Sequence, residues 1–160
     1  AQGCELYLML IGLDPVLGPE LLAALRAMGH GDEIAIVDGN YPAAAHAQRL
    51  IRADGLPVPR VLAAVLSVLP LDGDVSHPAS RSCDPTRPDC PDPVHRAMDD
   101  ILQTALRHPA QIAVTHGAAF YDRVKHCYAV VATSEPALFA NVILRKGVVE
   151  PQSSHETTPR

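Results

Sequence analysis

Apolar positions recur along this chain in two rhythms. In "GPELLAALRAMGHG" Leu21, Leu22, Leu25 and Met28 form a helical stripe. Pro19 suits the first helical position, and Gly29 is a natural stop. "EIAIVD" (33–38) is a short β-branched run bounded by turn residues, which predicts a buried strand. Residues 43–49 are alanine-rich and predict a turn of helix, with a second strand in "RLIRAD" (49–54). Val58, Leu62, Val65, Leu66 and Leu69 then return to helical spacing, and that stripe ends before Pro70.

The rhythm is lost between Pro70 and Val94. Eight of the fifteen prolines lie between Pro57 and Pro93, and "HPASRSCDPTRPDCPDP" predicts neither a helix nor a central strand. We read residues 73–93 as a long surface loop or lid inserted in a single domain covering 1–150. Beyond it, "VHRAMDDILQTALRH" is amphipathic, "AQIAVT" (110–115) a strand, and "GAAFYDRVKH" a short helix. "CYAVVAT" (127–133) and "NVILRKG" (141–147) are the last strands, and residues 151–160 read as a disordered tail. Short strands alternating with helices indicate an α/β fold, a single three-layer domain with a central mixed sheet flanked by helices.

Composition narrows the classes of function. With 160 residues, 48% hydrophobic and 19% charged, the chain reads as globular. A net charge of -5 without a block of like charges speaks against nucleic acid or an anionic membrane as partner. No apolar run reaches the roughly 18–20 residues needed to span a bilayer. The opening "AQGCELYLMLIGL" has no basic residues ahead of its apolar stretch, so a signal peptide is not expected there. Cys4, Cys83, Cys90 and Cys127 are scattered, which suggests reduced thiols in a cytoplasmic protein. Cys83 and Cys90, near His77 and His95, lack the paired spacing of a zinc site, so no metal is expected.

Ligands of open α/β sheets gather at the carboxyl ends of strands. That rule selects Asp38, Asp54, His116 and Asp72, with His30 in the loop feeding the first strand. A histidine near carboxylates suits proton transfer near neutral pH. By residue type alone, His30 is equally a ring closing a helix C-terminus, and Asp38 and Asp54 are equally turn residues. No serine sits in an elbow motif and no cysteine has an evident histidine partner, so nucleophilic catalysis lacks support. Phosphate-binding glycine motifs are absent.

Five ordered motifs add to this reading: "GPELLAALRAMGHGDEIAIVDGNYP", "IRADGL" (51–56), "VLPLD" (68–72), "AFYDRVKHCYAVVAT" (119–133) and "ALFANVILRKGV" (137–148). Together they resemble the family of L-fucose mutarotases and D-ribose pyranases. "IRADG", "FYDR" and "LRKG" are closer to the fucose branch, while the "AN" of "FANVIL" follows the ribose wording. The resemblance implies a cytoplasmic, cofactor-free isomerase that interconverts the anomers of a free monosaccharide, most simply L-fucose, by general acid–base catalysis. It implies homo-oligomers, decameric rings in bacterial members. It assigns His30 as proton donor, Asp38 as a second catalytic residue in contact with the sugar, and Asp72 as a sugar contact. The final segment maps to Phe139, Ala140 and Asn141, and Tyr121 lies in the "FYDR" motif as a further candidate contact. Two positions depart from the pattern. Phe139 replaces a tyrosine, and Gly117 stands where the fucose branch has arginine, with His116 one position earlier as the candidate substitute. D-ribose pyranase-type interconversion and non-catalytic sugar binding are the alternative expectations.

Overall fold

A computed structural model describes residues 8–107 and 109–151. The elements in chain order are α1 (Pro19–Ala27), β1 (Glu33–Val37), α2 (Ala43–His46), β2 (Leu50–Ala53), α3 (Val58–Leu66) and β3 (Ala79–Ser82). There follow α4 (Pro93–Ala105), β4 (Ile112–Thr115), α5 (Gly117–Lys125), β5 (Ala129–Thr133) and β6 (Val142–Arg145). The six strands make one sheet in the order β2-β5-β1-β6-β3-β4.

Pairing directions decide what the sheet can present. β1, β2 and β5 are mutually parallel, and β3 is parallel to β4. β6 is antiparallel to both β1 and β3 and joins the two parallel groups. Five strands therefore point their carboxyl ends to one edge, where β6 begins.

Side-chain alternation along the strands divides the core between two faces. Ile34, Ile36, Val131, Val142 and Leu144 pack with Leu21 and Leu25 of α1, the apolar stripe of α3, and Met98 and Leu102 of α4. Ala35, Val37, Val130 and Ile143 face the other way, toward Ala43 of α2 and Phe120 and Val124 of α5. The result is the expected three-layer α/β arrangement with a central mixed sheet.

The main correction lies in the proline-rich segment. Its residues 79–82 form β3, fully buried and inserted between β6 and β4. "ASRS" carries no apolar alternation because tertiary contacts satisfy its polar groups. Arg81 makes a two-pronged ion pair with Asp99 of α4, at 2.6 and 3.0 Å. Ser80 Oγ meets Thr115 Oγ1 at 3.1 Å. Residues 73–93 are thus not a peripheral loop throughout. The tail expected to be disordered falls mostly outside the described residues.

Candidate functional site

The edge where five strands end carries a cavity of about 480 Å³, lined by Asp38, Tyr41, His116, Tyr121, Phe139 and Asn141 among others. That volume is within the usual range for a small-molecule site. Asp38 follows β1 and is 4% exposed. Its Oδ1 accepts the Asn40 N–H at 2.9 Å and its Oδ2 the Ala140 N–H at 3.1 Å. Burial pushes the carboxyl above its ordinary range, and these backbone donors partly offset the rise.

Asn141 immediately precedes β6 and meets Asp38 there. Its Oδ1 accepts the Asp38 N–H at 2.8 Å, and its Nδ2 donates to Ser82 Oγ at 3.2 Å. Ser82 Oγ donates to the Phe139 carbonyl at 2.5 Å. Phe139 is the one non-glycine with positive φ among the described residues, at 57°. Holding such a backbone costs on the order of 1–3 kcal/mol, and it persists only where its surroundings fix it. Ser82 is a member of this site that sequence reasoning missed, because nothing in the proline-rich segment marks it as a strand end.

The opposite wall comes from α5. His116 is its N-cap residue, exposed, and its side chain makes no hydrogen bond among the described residues. Gly117 follows with φ of 64°, a conformation that an arginine adopts only under strain. The Tyr121 ring meets Tyr41 edge-on at 5.3 Å and His46 at 5.2 Å, and the Tyr41 hydroxyl lies 2.9 Å from His46 Nδ1. The sequence pattern gave no signal for Tyr41 or His46.

His30 and Asp72 are elsewhere. Gly31 (φ 87°) turns the chain into β1 at the opposite sheet edge, where β6 ends. There His30 Nε2 is 3.1 Å from Asp72 Oδ1, and Arg145 Nε donates to Asp72 Oδ2 at 2.7 Å. The Arg145 guanidinium, with burial opposing it and the Asp74 N–H and His30 assisting, holds the Asp72 carboxyl down to about 2. β1 lies between His30 and Asp38, and its five residues extend roughly 16 Å. One chain therefore does not bring these two groups onto one small molecule. Asp54, the remaining strand-end candidate, is exposed and paired with Arg52 at 2.7 Å, away from the cavity.

Ligand atoms of His30, Asp72 and Asp74 lie within 4.8 Å of one another, a spacing compatible with a metal ion. The donor set does not fit one well, since Arg145 already neutralises Asp72 and would oppose a second cation. Cys83, Cys90 and Cys127 are free thiols. Burial pushes the Cys127 thiol up to about 12, leaving it protonated and inert.

Fold and site together define an α/β protein with a buried carboxylate lining a small cavity. Residues 11–149 match the family model described as the RbsD / FucU transport protein family. Human (Homo sapiens) fucose mutarotase is 45% identical over 146 residues, which cover 86% of this chain and 93% of that protein. L-fucose mutarotase from Glaesserella parasuis serovar 5 is 39% identical over 152 residues, 88% of this chain and 96% of that one. The crystal structure of the fucose mutarotase in complex with L-fucose from Streptococcus pneumoniae aligns with a TM-score of 0.82 at 37% identity. That alignment covers 88% of this chain and 100% of its counterpart. Bacillus subtilis RbsD complexed with D-ribose has a TM-score of 0.67 at 19% identity, over 84% and 95% of the two chains, a likeness of fold alone. The chain belongs to the RbsD / FucU family.

Proposed function

We propose that this chain is a mutarotase that interconverts the α and β anomers of L-fucose. The observation that carries the reading is the Asp38–Asn141 pair in the wall of a sugar-sized cavity, in a chain covering nearly the full length of fucose mutarotases. Mutarotation needs one proton delivered to the ring oxygen and one removed from the anomeric hydroxyl. The ring opens to the aldehyde and recloses on either face, with no net redox change. Asp38 and Asn141 orient the sugar, Tyr121 and Phe139 supply ring faces, and His116 lines the same cavity beside Gly117.

The proton donor assigned by resemblance, His30, sits at the other sheet edge. In our reading a second copy of the chain supplies it. Next to His30 lies a largely apolar cavity of about 460 Å³, lined by Leu22, Leu25, Met28 and Val148. Val148 and Val149, which line it, are 57% and 80% exposed. A surface of this kind favours burial against a partner. The active form is then a homo-oligomer with its sites between subunits, and Asp72 with Arg145 orients the incoming His30. No helix among the described residues is long and apolar enough to cross a membrane, and a cytoplasmic enzyme acting on free sugar is the setting that suits this chemistry.

Saturation-transfer NMR across a panel of free sugars tests the reading. Enhanced α/β exchange for L-fucose without consumption of the sugar is expected. Exchange enhanced only for D-ribose would move the substrate to the pyranase type. Affinity without exchange would make the chain a binding protein.

A further inference from the structure

We infer that His95 is a positioning residue for the sugar site, its Nε2–H fixing the strained Phe139 turn that carries Asn141. His95 lies on α4, is 2% exposed, and does not line the cavity. Both ring nitrogens are engaged. Nδ1 accepts the Asp92 backbone N–H at 3.1 Å, and Nε2 is 2.9 Å from the Phe139 carbonyl oxygen. A carbonyl only accepts and an N–H only donates, so the network assigns one form, a neutral ring with hydrogen on Nε2 and a bare Nδ1.

The carbonyl that His95 holds belongs to the residue with the left-handed backbone, and its other donor is Ser82 Oγ. A left-handed phenylalanine needs that kind of double restraint. The restraint reaches the cavity within two residues: Ala140 N–H donates to Asp38 Oδ2, and the Asn141 side chain accepts from Asp38 N–H. His95 therefore acts on the sugar through the geometry of the 139–141 turn without touching it. Asp92 and His95 also form the capping box that starts α4. One imidazole thus ties the helix start after the proline-rich segment to the wall of the site.

The inference rests on the mutarotase reading for its kinetic test but not for its spectroscopic one. Two polar variants separate the two ring nitrogens. His95→Gln keeps a donor near the Nε2 position, whereas His95→Asn keeps an acceptor near Nδ1 and is too short to reach Phe139. We expect the Asn variant to raise KM for L-fucose about tenfold, with kcat changed less, and the Gln variant to stay near wild type. Equal KM in both variants, whether unchanged or equally raised, would reduce His95 to core filling. Long-range ¹H–¹⁵N correlation spectra of the wild-type chain read the tautomer directly. An Nε2–H ring is expected, and an Nδ1–H ring would overturn the assignment whatever the enzyme does. A wild-type chain that fails to exchange fucose refutes the function reading instead, and the spectrum still decides this one.

Discussion

If His30 and Asp38 serve one sugar from two chains, inactive variants must rescue each other. His30→Ala removes the proton donor, and general acid–base assistance of this kind is worth roughly 10²–10⁴-fold. Asp38→Asn removes the carboxylate while leaving its amide oxygen for one of the two backbone donors that hold it. Alone, each variant should show almost no exchange. In an oligomer reassembled from equal amounts of both, a site is competent when its His30 comes from an Asp38→Asn chain and its Asp38 from a His30→Ala chain. Each condition holds for about half of the chains, so about a quarter of wild-type exchange should return. The geometric basis is the roughly 16 Å of β1 between the two groups. The assay is saturation transfer between α- and β-L-fucose after the variants are co-unfolded and refolded together, with thermal melts to show that each variant is folded. No recovery in a verified mixed oligomer would mean that the groups do not share an intersubunit site. Wild-type exchange in His30→Ala alone would return that histidine to a helix-terminal structural role.

Other expectations follow from single contacts. Phe139→Tyr places a hydroxyl at the cavity wall and should tighten L-fucose by the worth of one hydrogen bond, about 0.5–1.5 kcal/mol; unchanged or weaker affinity in calorimetry would mean a pocket rebuilt for another sugar. Asp72 has a folded-state pKa lowered to about 2, so its contribution is complete above the ordinary carboxylate pKa near ~4 and is lost as pH falls toward 2. Asp72→Asn should therefore cost about 2 kcal/mol near neutral pH and progressively less as pH falls through 2; urea titrations showing a pH-independent loss would contradict the ion-pair account. Exchange should survive in His116→Ala, and its loss there with exchange retained in His30→Ala would move the proton donor to the N-cap of α5. Elemental analysis should find no stoichiometric zinc, and about one zinc per chain that is lost in Cys83→Ser/Cys90→Ser would refute this.

Periodicity was enough for the helices and for five strands, because those segments bury one stripe or alternate faces and so write their environment into residue order. "EIAIV" and "AVVAT" needed only their own apolar character to be placed in a sheet. Strand-end logic likewise found Asp38 and His116, and ordered motifs added Tyr121, Phe139 and Asn141. β3 gave no such signal. "ASRS" is polar, and it is a central strand only because Asp99, Thr115 and the backbone of β6 satisfy it from far along the chain. Ser82 and His95 stayed hidden for the same reason, since each gains its role from a carbonyl 57 or 44 residues away. The eight-residue spacing of His30 and Asp38 suggested neighbours in one site. An extended strand between them carries the two groups to opposite edges of the sheet, and only the direction and length of that strand could decide it.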